Sequence, residues 1–140
     1  KEKAASEGLT NVRLTGWVPQ EVLPEVLATA DVLLAILEPD AGIFSVPSKV
    51  LTYLCSNRPM VLAVPRENLA ARIVLETGAG IVVDPGDTRG FVSAVEKLVN
   101  DPAARSEMGN RGRKYAETHF DINHITDAFE EVFKIAMSNR

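Results

Sequence analysis

The stretch Gly42-Ile43-Phe44-Ser45-Val46-Pro47-Ser48-Lys49-Val50-Leu51-Thr52-Tyr53-Leu54-Cys55, followed after Ser56 by Asn57-Arg58-Pro59-Met60-Val61-Leu62-Ala63-Val64, decides how the chain reads. A glycine leads to a proline with a hydroxyl and a lysine beside it, and an apolar-periodic run then begins. This predicts a loop feeding the first turn of a helix over residues 47–55, with Val50, Leu51 and Leu54 as its buried stripe. The apolar run over residues 60–64 predicts a buried strand directly afterwards. Two readings of the helix start stand side by side. It is an ordinary capped helix, or its free N–H groups and positive dipole end, with the Ser48 hydroxyl and the Lys49 ammonium, form an anion site.

The same alternation extends in both directions. Upstream, residues 12–15 form a short alternating strand closed by Gly16. Pro24 opens a helix with Leu23, Val26, Leu27 and Ala30 on one face, and residues 32–37 read as a central strand covered on both faces. Downstream, residues 67–76 form a helix with Leu69, Ile73 and Val74 inward, stopped by Gly78-Ala79-Gly80 before a strand at Ile81-Val82-Val83. Asp87 caps a helix carrying Phe91, Ala94, Val95 and Leu98, and Asp101 with Pro102 starts another that reaches about Tyr115. Asp121 caps the last helix, whose stripe of Ile122, Ile125, Phe129, Val132, Phe133 and Ala136 predicts packing along one side. Strands alternating with helices across brief Gly/Pro turns predict an α/β fold, a Rossmann-like parallel sheet with helices on both faces. Ligands bind such sheets outside the carboxyl ends of the strands, where residues 16–19 and 38–49 supply loops.

With 140 residues, 46% of them hydrophobic, one domain is expected over residues 1–140, with 121–140 as its terminal helix. The formal net charge of -4, from 15 Lys and Arg against 19 Asp and Glu, gives no sign of a general nucleic-acid or anionic-membrane binder, so any anion site must be local. Cys55 is the single cysteine, sits in an apolar helical pattern and is expected to be a small buried hydrophobe in a reducing compartment. No apolar run approaches the roughly 18–20 residues of a membrane span, so a soluble chain is expected. The chain opens on a helix end stopped by Gly8 and without an initiator Met, which predicts a piece of something longer.

Other chemistry is sparse. His119 and His124 have no partners in metal-ligand spacing and are expected at the surface near a helix junction. There is no Gly-x-Ser-x-Gly elbow, no dinucleotide fingerprint and no Walker lysine. Arg105, Arg111, Arg113 and Lys114 read as the solvated side of a helix. Trp17 is either a stacking platform for a base or a hydrophobic anchor for its loop, and its residue type favours the anchor.

The order of pieces carries a resemblance. Residues 11–19 (Asn-Val-Arg-Leu-Thr-Gly-Trp-Val-Pro), Ala30-Asp31-Val32-Leu33-Leu34-Ala35, Val46-Pro47-Ser48-Lys49 with Arg58-Pro59-Met60-Val61, and Gly78-Ala79-Gly80-Ile81-Val82-Val83 with Pro85-Gly86-Asp87 resemble the C-terminal, donor-binding half of a GT-B fold glycosyltransferase. The kind is the retaining "group 1", family 4 enzymes, in the Pro-Ser-Lys variant common in bacterial surface-polysaccharide synthesis. The resemblance implies a sugar moved from a nucleotide-diphosphate-sugar to a glycan or lipid-linked acceptor, with no tightly bound cofactor or metal. It puts Gly16, Trp17 and Val18 at the nucleobase and Ser45, Val46, Pro47, Ser48 and Lys49 at the diphosphate. Family members carry two glutamates separated by seven residues, the second binding ribose. Phe44 and Thr52 stand in those places here, so the resemblance leaves Thr52 a hydroxyl for the ribose and Glu38 or Asp40 to approach the donor sugar.

The family's domain also begins with two strands, and with Arg and Lys residues on the diphosphate, that this chain lacks. In a sheet ordered 3-2-1-4-5-6 their loss separates residues 12–15 from residues 32–37 and leaves two strand edges open. The expectation is a truncated domain, inactive by itself, whose first strand pairs with an unaccustomed neighbour or with another chain. The acceptor would be met by a missing N-terminal domain, in the cytoplasm or peripherally at the inner membrane face. A non-catalytic sugar-nucleotide binding or assembly module is the alternative, and a nucleotide-sugar epimerase is a third reading.

Overall fold

The computed structural model describes residues 2–38 and 47–138. Its sheet has three parallel strands, β1 (Leu33–Ile36), β2 (Met60–Ala63) and β3 (Gly80–Val83), in that order, with Leu33 opposite Met60 and Met60 opposite Gly80. The order is the one expected for the last three strands of a 3-2-1-4-5-6 sheet. Seven helices accompany it among the described residues: α1 (Glu2–Ser6), α2 (Leu23–Ala28), α3 (Ser48–Cys55), α4 (Leu69–Thr77), α5 (Thr88–Asn100), α6 (Pro102–His119) and α7 (Ile122–Ser138). None is long and apolar enough to cross a membrane.

Short polar side chains start α5, α6 and α7 as the sequence predicts. Asp87 accepts from the Gly90 N–H at 2.8 Å, and Asp101, followed by Pro102, accepts from the Ala104 N–H at 2.9 Å. Asp121 accepts from the N–H groups of His124 and Asn123, and these two bonds hold its carboxyl below the usual range. Gly78 ends α4 in the left-handed region at φ 65°, where a side chain would be strained.

Each face of the sheet carries its own core. On one, Leu33, Ala35, Met60 and Leu62 meet Val50 and Leu54 of α3, Ala70, Ala71 and Val74 of α4, and Ala116 of α6. On the other, Val61 meets Ala94 and Leu98 of α5, with Phe91, Val95 and Met108 around them. The expected α/β architecture with helices on both faces is therefore present. Helix α6 approaches α3 and the turn after it through glycines: a Cβ on Gly109 would lie 2.5 Å from the Asn57 carbonyl oxygen, and one on Gly112 would lie 3.4 Å from Leu54 Cδ2. That approach leaves Leu54 no solvent exposure, a burial that favours folding by roughly 1.5–3 kcal/mol.

Several expectations are corrected. Residues 12–15 do not form a strand; they are exposed and lie outside the sheet. Alternation suits a strand, but a strand also needs an edge to pair with, and the expected strand order places this segment away from β1. β1 is an edge strand rather than the central one its apolar run suggested, with the open edge expected from the loss of the preceding strands: Leu33 and Ala35 are buried, while Leu34 is 43% and Ile36 64% exposed. Helix α5 packs against β2 and β3 and leaves that side of β1 open. The Tyr53 hydroxyl donates to the Leu34 carbonyl at 3.1 Å, and burial pushes its pKa up.

In α3 and α4, Leu51 and Leu69 are exposed, while Ala70 and Ala71 take inward positions on α4. Helix α6 continues four residues past Tyr115 to His119, which stacks on Tyr115. Helix α7 forms as predicted but has no buried residue, so its apolar stripe is left largely exposed rather than packed along one side.

Candidate functional site

Because β1 and β2 run parallel, the connection between them must return along the sheet. It does so as α3, whose first turn therefore lies toward the carboxyl edge of the strands. Pro47 is the residue before the helix. It is half-buried and extended (φ -66°, ψ 105°), contributes no side-chain cap, and its carbonyl accepts from the Val50 N–H at 2.9 Å. Ser48 and Lys49 follow in the first turn, both exposed, and no acidic residue accompanies them there. The start of α3 therefore carries helix-dipole charge, a hydroxyl and an ammonium, with no internal anion among the described residues. Ser45, Val46, Phe44 and Asp40 lie outside the described residues.

Thr52 lies one turn further on and is exposed. It lines a groove of about 320 Å³ together with Cys55 at the end of α3, Ser56 just after it, and Gln20, Leu23, Pro24 and Leu27 at and along α2. The lining is mostly apolar. Gln20 is three residues beyond Trp17, so this groove links the loop after Gly16 to the middle of α3. Gly16 sits at φ 76°, in the left-handed region that glycine tolerates, and a Cβ there would meet nothing within 4 Å. Trp17 is 84% exposed and anchors nothing, which overturns the anchoring preference. Val18 is half-buried.

Cys55 is also corrected: it is exposed rather than buried, since its position on α3 points into the groove instead of onto the sheet. Periodicity alone does not separate those outcomes. Gln20, Cys55 and Ser56 are the groove residues that sequence reasoning missed. The one available signal was the spacing of Leu23 and Leu27, which placed an apolar face on α2 without saying what faced it.

A second cluster of charged side chains lies at the amino ends of the strands. Arg105 donates to the Leu98 and Val99 carbonyls, each at 2.7 Å, and pairs with Asp31 at 3.3 Å. Arg58 donates to the Ala28 carbonyl. These contacts tie helix ends to the sheet. Arg111 and Arg113 pair with Glu107 and Glu117 on the exposed side of α6, but the basic group is not all solvated as expected: Arg105 is largely covered, and Arg113 also donates to the Cys55 carbonyl at 2.9 Å. His119 and His124 are exposed, and no group of three metal-ligating side chains occurs among the described residues.

The family model described as "Glycosyl transferases group 1" matches residues 1–101. Among curated proteins, the "Capsular polysaccharide biosynthesis glycosyltransferase CapM" of Staphylococcus aureus is 32% identical over 60 residues, 43% of this chain and 16% of that protein. The "Lipopolysaccharide core biosynthesis glycosyltransferase LpsE" of Rhizobium meliloti (strain 1021) is 38% identical over 50 residues, 36% of this chain and 15% of that protein. LpsD of the same strain, with the same description, is 33% identical over 60 residues, 43% of this chain and 18% of that protein. The chain thus matches less than one fifth of the length of each of these relatives.

Proposed function

The chain belongs to the group 1 glycosyl transferases, and on that premise we propose that it forms the nucleotide-diphosphate-sugar binding part of an enzyme that transfers a sugar to a glycan or lipid-linked acceptor. The observation that carries the reading is the start of α3, where exposed Ser48 and Lys49 stand one helical turn before Thr52 and its groove. Cleavage of the sugar–phosphate bond leaves added negative charge on the nucleoside diphosphate. Helix N–H groups and the Lys49 ammonium stabilise that charge as it develops. Pro47 holds the approach to the helix extended, and Ser45 and Val46 belong to the same proposed diphosphate loop. Gly16, Trp17 and Val18 form the wall for the base, and Thr52 offers its hydroxyl to the ribose. Capsular and lipopolysaccharide synthesis by the relatives supports a carbohydrate acceptor, met by a further domain at the cytoplasmic face of the membrane.

Thr52 in the place of a ribose-binding glutamate favours a second reading, a module that binds nucleotide sugars without turning them over. The same preparation separates the two. Lys49→Ala lowers affinity for a nucleoside diphosphate roughly tenfold or more, the weight of a charge-assisted contact, while the melting temperature of the free protein stays within about a degree because an exposed side chain is removed. Unchanged affinity for every nucleoside diphosphate sinks the diphosphate site, and an unfolded variant makes Lys49 structural. Binding without release of sugar from any of UDP-, GDP-, ADP- or dTDP-linked donors selects the binding module over the enzyme.

A further inference from the structure

Helix α7 has 17 residues and is about 25 Å long. Its apolar residues recur at alternating steps of three and four: Ile122, Ile125, Phe129, Val132 and Ala136 fall on one line, with Ala128, Phe133 and Ile135 flanking it. That is the spacing of a coiled-coil seam. Asp127, Glu130, Glu131 and Lys134 lie on the opposite side, where Lys134 pairs with Glu130 at 3.9 Å. The apolar side is uncovered. Phe129 and Phe133 are each 62% exposed and Val132 is 60% exposed, and Ile125, Ala128, Phe129 and Val132 line a hollow of about 280 Å³.

We propose that this face pairs with α7 of a second copy of the chain, the two helices antiparallel. Side-chain size chooses the orientation. Antiparallel pairing centred at the level between Glu130 and Glu131 sets Phe129 against Val132 and Ile125 against Ala136. On the flanks it sets Ile135 beside Ala128 and Phe133 beside Thr126. Each level then matches a larger side chain to a smaller one, as close packing requires. A parallel pair in register instead sets Phe129 against Phe129 and Ala136 against Ala136, crowding one level and leaving a void at the other. No charged residue lies on the seam or its flanks, so like charges do not meet across it. The polar side sets three carboxylates against one lysine, which disfavours an anionic membrane surface as the occupant. The seam runs for about two and a half heptads, short of the three to four of a sustained coiled coil. The pairing is therefore weak, with Kd on the order of 10–100 µM, and at a few micromolar the chain is mostly monomeric with α7 bare.

Sedimentation equilibrium of the chain from about 5 to 500 µM tests this, and a monomer–dimer equilibrium across that range is expected. Phe129→Ala, at the centre of the seam, weakens dimerisation about tenfold or more, while Glu131→Ala on the polar side leaves it unchanged. At a few micromolar both variants melt with the unaltered chain, which keeps folding out of the comparison. Disulfide trapping reads the orientation, with Cys55, the single cysteine, first replaced by Cys55→Ser. On mixing and oxidation, an Ile125→Cys chain and an Ala136→Cys chain link to each other, and neither links to its own kind. A chain that stays monomeric throughout the range overturns the proposal. So does a dimer indifferent to Phe129→Ala, which puts the contact elsewhere, as at the open edge of β1. Disulfides between two Ile125→Cys chains overturn the antiparallel arrangement. The diphosphate reading rests on α3 and stands or falls separately.

Discussion

Helices α3 and α7 are both amphipathic, yet one supplies two fully buried side chains to the core and the other buries none. Val50 and Leu54 of α3 are sealed by β1 and β2 beneath and by α6 alongside, where Gly109 and Gly112 allow the backbones to close up. Helix α7 carries Phe129, Val132 and Phe133 at the same helical spacing, and all three are exposed. An apolar stripe states that a helix face is suited to cover; only a neighbour of the right shape turns that suitability into stability.

The largest effect that separates the two helices is expected at Leu54. Leu54→Ala leaves a cavity under α6 and should destabilise the chain by about 2–5 kcal/mol in urea unfolding; a loss below about 1 kcal/mol means that α3 collapses onto the sheet without α6. Next comes the close approach itself. Gly109→Ala puts a methyl group 2.5 Å from the Asn57 carbonyl oxygen, and the helix must back away at a cost of about 1–3 kcal/mol, offset in part by alanine's better helix propensity. A stabilised Gly109→Ala variant overturns the glycine-mediated contact. The smallest effect lies on α7, where Phe129→Ala should shift stability by no more than about 0.5 kcal/mol because the ring is largely exposed beside its own helix neighbour Phe133. A loss comparable to that at Leu54 shows that α7 is covered in solution.

Much of the fold was legible because its signals are local. Asp87, Asp101 and Asp121 cap the helices they were expected to cap, Gly78 ends α4, and the three strands fall where the apolar runs stand. These features depend on residues within a few positions of one another. Residues 12–15 failed for the opposite reason: their alternation is local, but a partner edge is not. The assignment of Leu69 as inward-facing failed because small Ala70 and Ala71 fit more closely against the sheet.

The candidate site divides in the same way. Ser48 and Lys49 at a helix start could be read directly, since an uncapped first turn and its dipole follow from local sequence. The groove could not. Gln20 and Thr52 are 32 positions apart, and only the packing of α2 beside α3 makes them walls of one space. The exposure of Cys55 and Trp17 has the same origin, because periodicity gives a residue's bearing around its own axis but not what lies in that direction.

The sequence by itself therefore determined the alternation of strands and helices, their ends, and the charge at the start of α3, all properties of neighbouring residues and backbone hydrogen bonding. The tertiary structure alone decided that α3 is sealed and α7 bare, and that a groove opens beside Thr52. Those outcomes depend on which surfaces meet across long stretches of chain, where close packing and excluded water, rather than local propensity, set the free energy.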